Sequence, residues 1–376
     1  MKMLQLKAIE DVQAAVREHA RLHVRGGGTK PALSTPLDGV TTLDLTGLSG
    51  VLEYNPGEFT FTALAGTRLA EVQALLASHG QYLPFDPPLA GQGATLGGTV
   101  AAGLSGPGRY RYGGVRDFIL GVRWVDGNGD LVRGGGKVVK NAAGFDIPKL
   151  MVGSLGQLGV LVELTFKVFP KSLAYTTIHR HCAEVAEAVQ ALYRLYTARL
   201  DVDALDLAPN ADGSAGVWVR LGSLPEALPA RAERIRSLLD GGEVVTGEGE
   251  GALWQAARDF AWVPSGWALV KVPLTPKRIA SVETWHAASL RRYSSGGNVA
   301  WIATTDSIQT LDEGLSSLGL SGLVVFGPPG RARIGARTGE AFEQRVKTVF
   351  DEVERYSFPS NDRTMIQDEG GSINGL

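Results

Sequence analysis

The chain has 376 residues, enough for two or three domains with separate cores. Its 44% hydrophobic and 20% charged content is that of an ordinary globular protein, and a formal net charge of −2 argues against a nucleic-acid binder. The single cysteine, Cys182, excludes an intramolecular disulfide and any cysteine-ligated iron–sulfur cluster or zinc finger held by this chain alone, and it fits a reducing compartment.

Residues 1–8 carry Lys2 and Lys7 with no apolar run behind them, so no signal peptide is expected. No stretch approaches the ~18 apolar residues of a membrane span. The expected location is the cytoplasm, with peripheral attachment through a partner left open. Ile9, Val12, Val16 and Ala20 share one helical face, and residues 21–24 read as a short strand. After the loop Arg25-Gly26-Gly27-Gly28-Thr29-Lys30-Pro31, strands are expected around 39–45, 50–54 and 59–64. A helix is expected over 69–78, with Thr67 as its N-cap and Gly80 as its stop. Residues 81–170 turn glycine-rich, and Asp126-Gly127-Asn128-Gly129 between apolar runs predicts a hairpin. Beyond Lys171, helical patterns at 183–199, 227–240, 253–260, 278–290 and 308–318 alternate with strand-like runs at 203–207, 217–221, 268–272, 298–302 and 323–326. That is an α+β unit with no visible sequence repeat. A last helix near 340–356 precedes a polar tail expected to be partly disordered.

Glycine is the anomaly, with 49 residues, 19 of them between Gly91 and Gly159. Because these glycines alternate with apolar strands, they read as folded loops meeting a large ligand rather than as a linker. The loop at 25–30 presents successive backbone N–H groups and suits either an anion nest or a tight turn. It lacks the spacing of a Walker A loop, and Pro31 follows where a Rossmann fingerprint needs a helix. Residues 94–103, Ala-Thr-Leu-Gly-Gly-Thr-Val-Ala-Ala-Gly, leave either a bare backbone wall for a ring or pyrophosphate or a small-residue packing seam.

These segments, with Leu83 to Pro88 and the later Gly153-Ser-Leu-Gly-Gln-Leu-Gly159-Val, resemble the vanillyl-alcohol-oxidase (PCMH-type) FAD domain over residues 8–170. Gly106-Pro107, the run from Gly114 to Gly121, and Lys140-Asn-Ala-Ala-Gly-Phe-Asp146 continuing through Leu150 to Ser154 resemble the FAD-binding E subunits of bacterial glycolate oxidases in particular. The resemblance implies an α+β fold: a two-part FAD-binding domain over 1–172 (parts about 1–80 and 81–172), an α+β cap or substrate domain over 173–330, and a C-terminal helix and tail over 331–376. It implies that Arg25, Gly26, Gly27, Gly28 and Thr29 form the pyrophosphate loop. Pro84, Pro88, Ala94, Thr95, Gly97, Gly98, Ala102 and Gly103 would line the flavin and ribityl path. Gly159, Val160 and Leu161 would contact the adenine half or the ring edge. Some relatives attach FAD through a histidine in the first loop; here Gly28-Thr29-Lys30 stands there, so non-covalent FAD is expected. The implied reaction is glycolate to glyoxylate, with a second flavin subunit and an iron–sulfur subunit as partners. A stand-alone dehydrogenase or oxidase for another 2-hydroxy acid, and a non-catalytic flavin-fold subunit, are the alternatives.

The catalytic residues are less legible. Lys140 either places positive charge near the flavin pyrimidine edge or makes a salt bridge, for instance with Asp146. Arg109, Arg111 and Arg116 face a substrate carboxylate, a partner, or solvent. Lys271, Arg331 and Arg333 are carboxylate-binding candidates in the cap. His179 and His181 lack a partner cluster, so no metal site is expected, and His286 reads as structural. The C-terminal segment Phe350-Asp-Glu and Phe358-Pro-Ser-Asn-Asp-Arg363 departs from the family's ending, which leaves that segment without a family role.

Overall fold

The structure, a computed structural model, describes residues 2–36, 38–136, 145–286 and 289–356. At the N-terminus, strands Lys2–Gln5 and Leu22–Arg25 flank Thr41–Asp44 in a parallel three-stranded sheet. Parallel neighbours need a crossover, supplied here by helix Ile9–Glu18, which buries Val12, Ala15 and Val16. The second sheet is antiparallel, in the order Val51–Asn55, Thr60–Leu64, Val160–Lys167, Ile119–Val125, Leu131–Gly135. Its central strand Val160–Lys167 is buried on both faces, hence its near-continuous apolar run. Val160 and Val162 face the N-terminal core, whereas Leu161, Leu164 and Phe166 face the main core. The alternation inverts at the register shift between Arg123 and Trp124 on the neighbouring strand, as a bulge requires. The Asp126–Asp130 turn closes the expected hairpin, with the Asp126 carboxylate accepting from the Asn128 and Asp130 amides.

The third sheet has nine antiparallel strands and contains a repetition that the sequence hides. Strand Ala174–Cys182, helix Val185–Thr197, strands Ala204–Pro209 and Ala215–Ser223, helix Leu228–Leu238 and strand Glu243–Thr246 form one β-α-β-β-α-β unit. Strand Ala268–Pro273, helix Ile279–Trp285, strands Leu290–Ser294 and Val299–Thr304, helix Ile308–Ser317 and strand Ser321–Phe326 form a second. The units meet edge to edge through the pair Leu207↔Tyr293, where Arg292 Nε donates to the fully buried Asp206 at 2.7 Å. The four helices named here share one core on one sheet face. On the other face Leu269, Trp301, Ala303 and Val325 join the main core, shared with strands Thr60–Leu64, Ile119–Val125 and Val160–Lys167.

Several expected elements shift. Thr67 does not cap helix Leu69–Ala77; Arg68 holds that position, and the Thr67 hydroxyl donates to Leu64 O at 2.7 Å. The helix expected from residue 253 begins at Gly247, its first turns disguised by three glycines. The helix expected over 278–290 stops at Trp285, and Leu290–Ser294, where only residue 290 had an expected element, is a strand. The last helix stops at Phe350, and buried Tyr356 returns to bridge Leu22 and donate to Val125 O at 2.9 Å. The tail from residue 357 lies outside the described residues.

Candidate functional site

The glycine loop leaves strand Leu22–Arg25 and enters the short helix Pro31–Ser34. Its shape is dictated by contact with the second glycine-rich segment. A Cβ on Gly26 would lie 2.3 Å from Thr95 Oγ1, and one on Gly27 would lie 1.9 Å from the Gly93 carbonyl oxygen. Among the described residues, none of the amides of Gly26, Gly27, Gly28 and Thr29 donates a hydrogen bond. Consecutive free N–H groups on one turn make a nest for an anion. Thr95 N-caps helix Leu96–Ala102, and its hydroxyl accepts from Gly98 N at 3.3 Å.

Between these segments runs a cleft with an unfilled volume of about 730 Å³, mouth included, walled by Gly26 to Lys30, Thr95, Gly97, Gly98, Ala102, Gly159 and Leu161. A Cβ on Gly98 would meet only Thr95 Oγ1, at 3.0 Å, and otherwise enter open space. The wall is therefore bare backbone, the surface a flat ring system or a diphosphate needs for close approach, and the residues fit an FAD-sized group.

Ala102 and Leu155 also line a second cleft of about 1030 Å³, mouth included, so the two form one trough passing from the flavin-fold region to the second unit of the large sheet. There Lys271 Nζ donates to Gly103 O at 3.3 Å, and no carboxylate pairs with it among the described residues. Burial, and secondarily Arg109, lowers its pKa to about 8. Arg333 and Arg337 line the same cleft. Arg333 is paired with Glu343, and Arg337 with Glu340 at 3.1 Å. The Arg337 Nε is buried without a partner.

Some expected site residues lie elsewhere. Arg25 lies against the back of the loop, its Nη1 near Met3 Sδ at 3.7 Å. Ala94 is buried in the main core and Val160 in the N-terminal core, so neither side chain reaches the trough. Pro84 and Pro88 are buried in a segment tied to the cap: Arg258 Nη1 donates to Asp86 at 3.1 Å, and Leu89 N to Asp259 Oδ1 at 2.7 Å. Pro84 faces a separate polar cleft lined by Tyr82, Tyr112, Tyr175 and Arg220. Arg116 is exposed and lines neither part of the trough. Lys140 lies outside the described residues; Asp146 pairs with Lys149 at 2.7 Å. Arg111 pairs with Asp203, and Arg331 with Asp312 at 2.7 Å. His179 stacks on Trp218 at 4.6 Å, and His286 Nε2 lies 2.6 Å from Asp306. Among the described residues no group of three or more His, Cys, Asp or Glu is placed to hold a metal, and no helix is long and apolar enough to cross a membrane. Sequence reasoning overlooked Lys30, Leu155 and Gly156 as lining residues; the Gly153–Gly159 motif already contained the last two.

Residues 3–135 match the family described as FAD binding domain. Over 251 residues the chain is 39% identical to the glycolate oxidase subunit GlcE of Escherichia coli (strain K12), covering 67% of each. The chain belongs to the glycolate oxidase E-subunit family. The chain is also 30% identical over 177 residues to the glycolate oxidase subunit GlcD of Bacillus subtilis (strain 168), covering 47% of the chain but 37% of GlcD. It is 32% identical over 167 residues to a D-2-hydroxyglutarate dehydrogenase of Stutzerimonas stutzeri (strain A1501), where it spans 36% of that protein. In fold it is similar to alkyldihydroxyacetonephosphate synthase, with a TM-score of 0.71 at 14% identity, over 96% of this chain and 76% of that one. The chain thus has the α+β architecture of the PCMH type.

Proposed function

We propose that this chain is the FAD-carrying subunit of a glycolate-oxidising complex, taking glycolate to glyoxylate with release of two electrons and two protons. The observation that carries this reading is the continuous trough from the free-amide loop to a cap-side cleft bearing Lys271, Arg333 and Arg337. FAD, when bound, supplies the two-electron acceptor that no side chain can provide. Gly26 to Thr29 would hold its diphosphate through backbone N–H groups, and Gly97, Gly98 and Ala102 would let its flat portion lie close to backbone. Binding is read as non-covalent, because Gly28-Thr29-Lys30 occupies the loop and the free thiol Cys182 is buried in the cap core. Lys271 Nζ would hold the substrate carboxylate at the cap-side end, with the arginines raising the local positive potential. Residues 1–172 would form the FAD-binding domain, 173–330 the cap, and 331–376 a C-terminal extension. A chain with one cysteine needs another protein to carry electrons onward through an iron–sulfur cluster. The partners proposed are therefore a second flavin subunit and an iron–sulfur subunit, in the cytoplasm or held peripherally at a membrane by them.

A second reading, a flavin-fold subunit that does not itself oxidise substrate, is favoured by one observation. The carboxylates lining the cap-side cleft, Glu340 and Glu343, are both engaged by arginines, and among the described residues no histidine lines it. The visible spectrum of the purified chain, recorded anaerobically before and after glycolate, separates the two. Bleaching assigns oxidation to this chain; flavin that stays oxidised assigns it to a partner. No flavin after reconstitution with FAD refutes the first reading and leaves a subunit that keeps the fold alone.

A further inference from the structure

Lys30 is the only ionisable side chain lining the loop end of the trough among the described residues. It N-caps helix Pro31–Ser34 by position and is 6% exposed. The single hydrogen bond of its side chain among the described residues runs from Nζ to Thr29 Oγ1 at 3.3 Å, and no carboxylate pairs with it. An ammonium group with three donors, held out of water with one weak neutral partner, is costly for the fold. Burial alone lowers its pKa to about 8. Arg25 and Arg68 stand behind the same loop, but their guanidinium groups face Met3 Sδ and the Gly93 carbonyl rather than the cleft.

We infer that Lys30 is the side-chain counter-charge of the cofactor diphosphate, completing a nest whose other donors are the amides of Gly26 to Thr29. This rests on the reading of the cleft as an FAD site and goes beyond it by naming a discriminating residue. The backbone nest supplies direction without a full charge, whereas Lys30 supplies a point charge within reach of the same anion. Selection for a dinucleotide carrying a diphosphate, over a flavin without phosphate, is therefore assigned to this side chain. The groups facing Lys30 are few. Strand Leu22–Arg25 brings His23, whose pKa burial lowers and whose Nε2 lies 3.4 Å from Leu33 O, and Arg25. Helices Pro31–Ser34 and Leu96–Ala102, and strand Ser321–Phe326 packed on the former, bring none.

The test is fluorescence titration of the full-length flavin-free chain with FAD and, separately, with riboflavin. For Lys30→Met, FAD affinity is expected to fall roughly tenfold to a hundredfold, as the loss of a charge-assisted hydrogen bond implies, while riboflavin affinity stays unchanged. Equal FAD affinity in variant and wild type overturns the role of Lys30 and leaves the FAD reading standing. Failure of the wild type to bind FAD sinks the FAD reading itself. A measurement on the wild type alone covers a variant that does not fold: FAD affinity should decline between pH 7 and pH 9 as the amine loses its proton, riboflavin affinity staying level. A flat FAD profile overturns the inference.

Discussion

Two glycines of the cofactor wall differ in what lies behind them, and that difference can be read in the laboratory. In Gly27→Ala the new Cβ lies 1.9 Å from Gly93 O and 2.9 Å from Gly93 C, both backbone atoms. Carbon and oxygen need roughly 3.3 Å or more, the distance of even a weak C–H···O contact, so one glycine loop must leave the other. Overpacking of this kind costs about 1–3 kcal/mol or more, and the loss falls on the flavin-free protein. In Gly98→Ala the Cβ meets only a rotatable hydroxyl, Thr95 Oγ1, at 3.0 Å. Alanine gains about 0.5–1 kcal/mol over glycine inside a helix, and turning the Thr95 hydroxyl away forfeits a cap worth about 1 kcal/mol, so the two nearly cancel. Gly98→Ala should therefore melt within a few degrees of wild type when free of flavin, yet bind FAD at least tenfold more weakly, because its methyl group stands in the cleft. Gly27→Ala should lose both stability and binding. The assays are thermal unfolding of the flavin-free chain and FAD titration by fluorescence. If Gly98→Ala binds FAD with wild-type affinity, the cofactor does not pass along helix Leu96–Ala102 and the assignment of the wall is wrong.

Other expectations follow from buried charge. Lys30 titrates at about 8 in the fold against about 10.4 in an unfolded chain, so between these values the unfolded state binds more protons and stability rises with pH. Lys30→Met should accordingly stabilise the flavin-free chain at pH 7, on the order of 1–3 kcal/mol, with the advantage shrinking above pH 8 and vanishing near pH 10.5; a destabilised variant at pH 7 contradicts this. Lys271→Met should lower kcat/KM for glycolate roughly tenfold to a hundredfold without changing FAD affinity, and wild-type efficiency should fall above pH 8 as the ammonium deprotonates; an unaltered kcat/KM removes Lys271 from the substrate site. Arg292→Met leaves the buried Asp206 carboxylate uncompensated and should destabilise the cap by about 3–5 kcal/mol, measured by urea unfolding, with much of that recovered in Arg292→Met combined with Asp206→Leu.

The flavin-fold half was legible because its information is local. Hairpin chemistry at Asp126–Gly129, the apolar strand before Pro170 and the spacing of the glycines all act over a few residues. The cap was less legible for physical reasons that can be named. Helix Gly247–Arg258 opens with Gly247, Gly249 and Gly251, residues of low intrinsic helicity, and its burial of Trp254 against Ala204 and Trp218 overrides that preference. Strand Leu290–Ser294 holds Arg291 and Arg292, charged residues that mask a strand whose burial depends on their distant partners Glu283 and Asp206. At the site, Pro84 and Pro88 were assigned to the cofactor by position in a motif, but the residues that hold their segment, Arg258 and Asp259, stand some 170 positions away. Lys30 went unassigned because the chemistry of its loop was attributed to glycine amides alone.

The doubled unit of the large sheet divides labour unequally. Lys271 and residues 321–323, which line the trough, belong to the second unit, which also packs Leu269, Trp301, Ala303 and Val325 into the main core; the first holds that region by polar contacts, Asp203 with Arg111 and, after its last strand, Arg258 on Asp86. Copies of one topology, joined by the pair Leu207↔Tyr293, a hydrogen bond from Gly296 N to Leu205 O at 2.7 Å, a buried ion pair and a shared helix core, thus meet the rest of the chain by different means. Residues that must suit different neighbours need not match, so the topology repeats where the sequence does not.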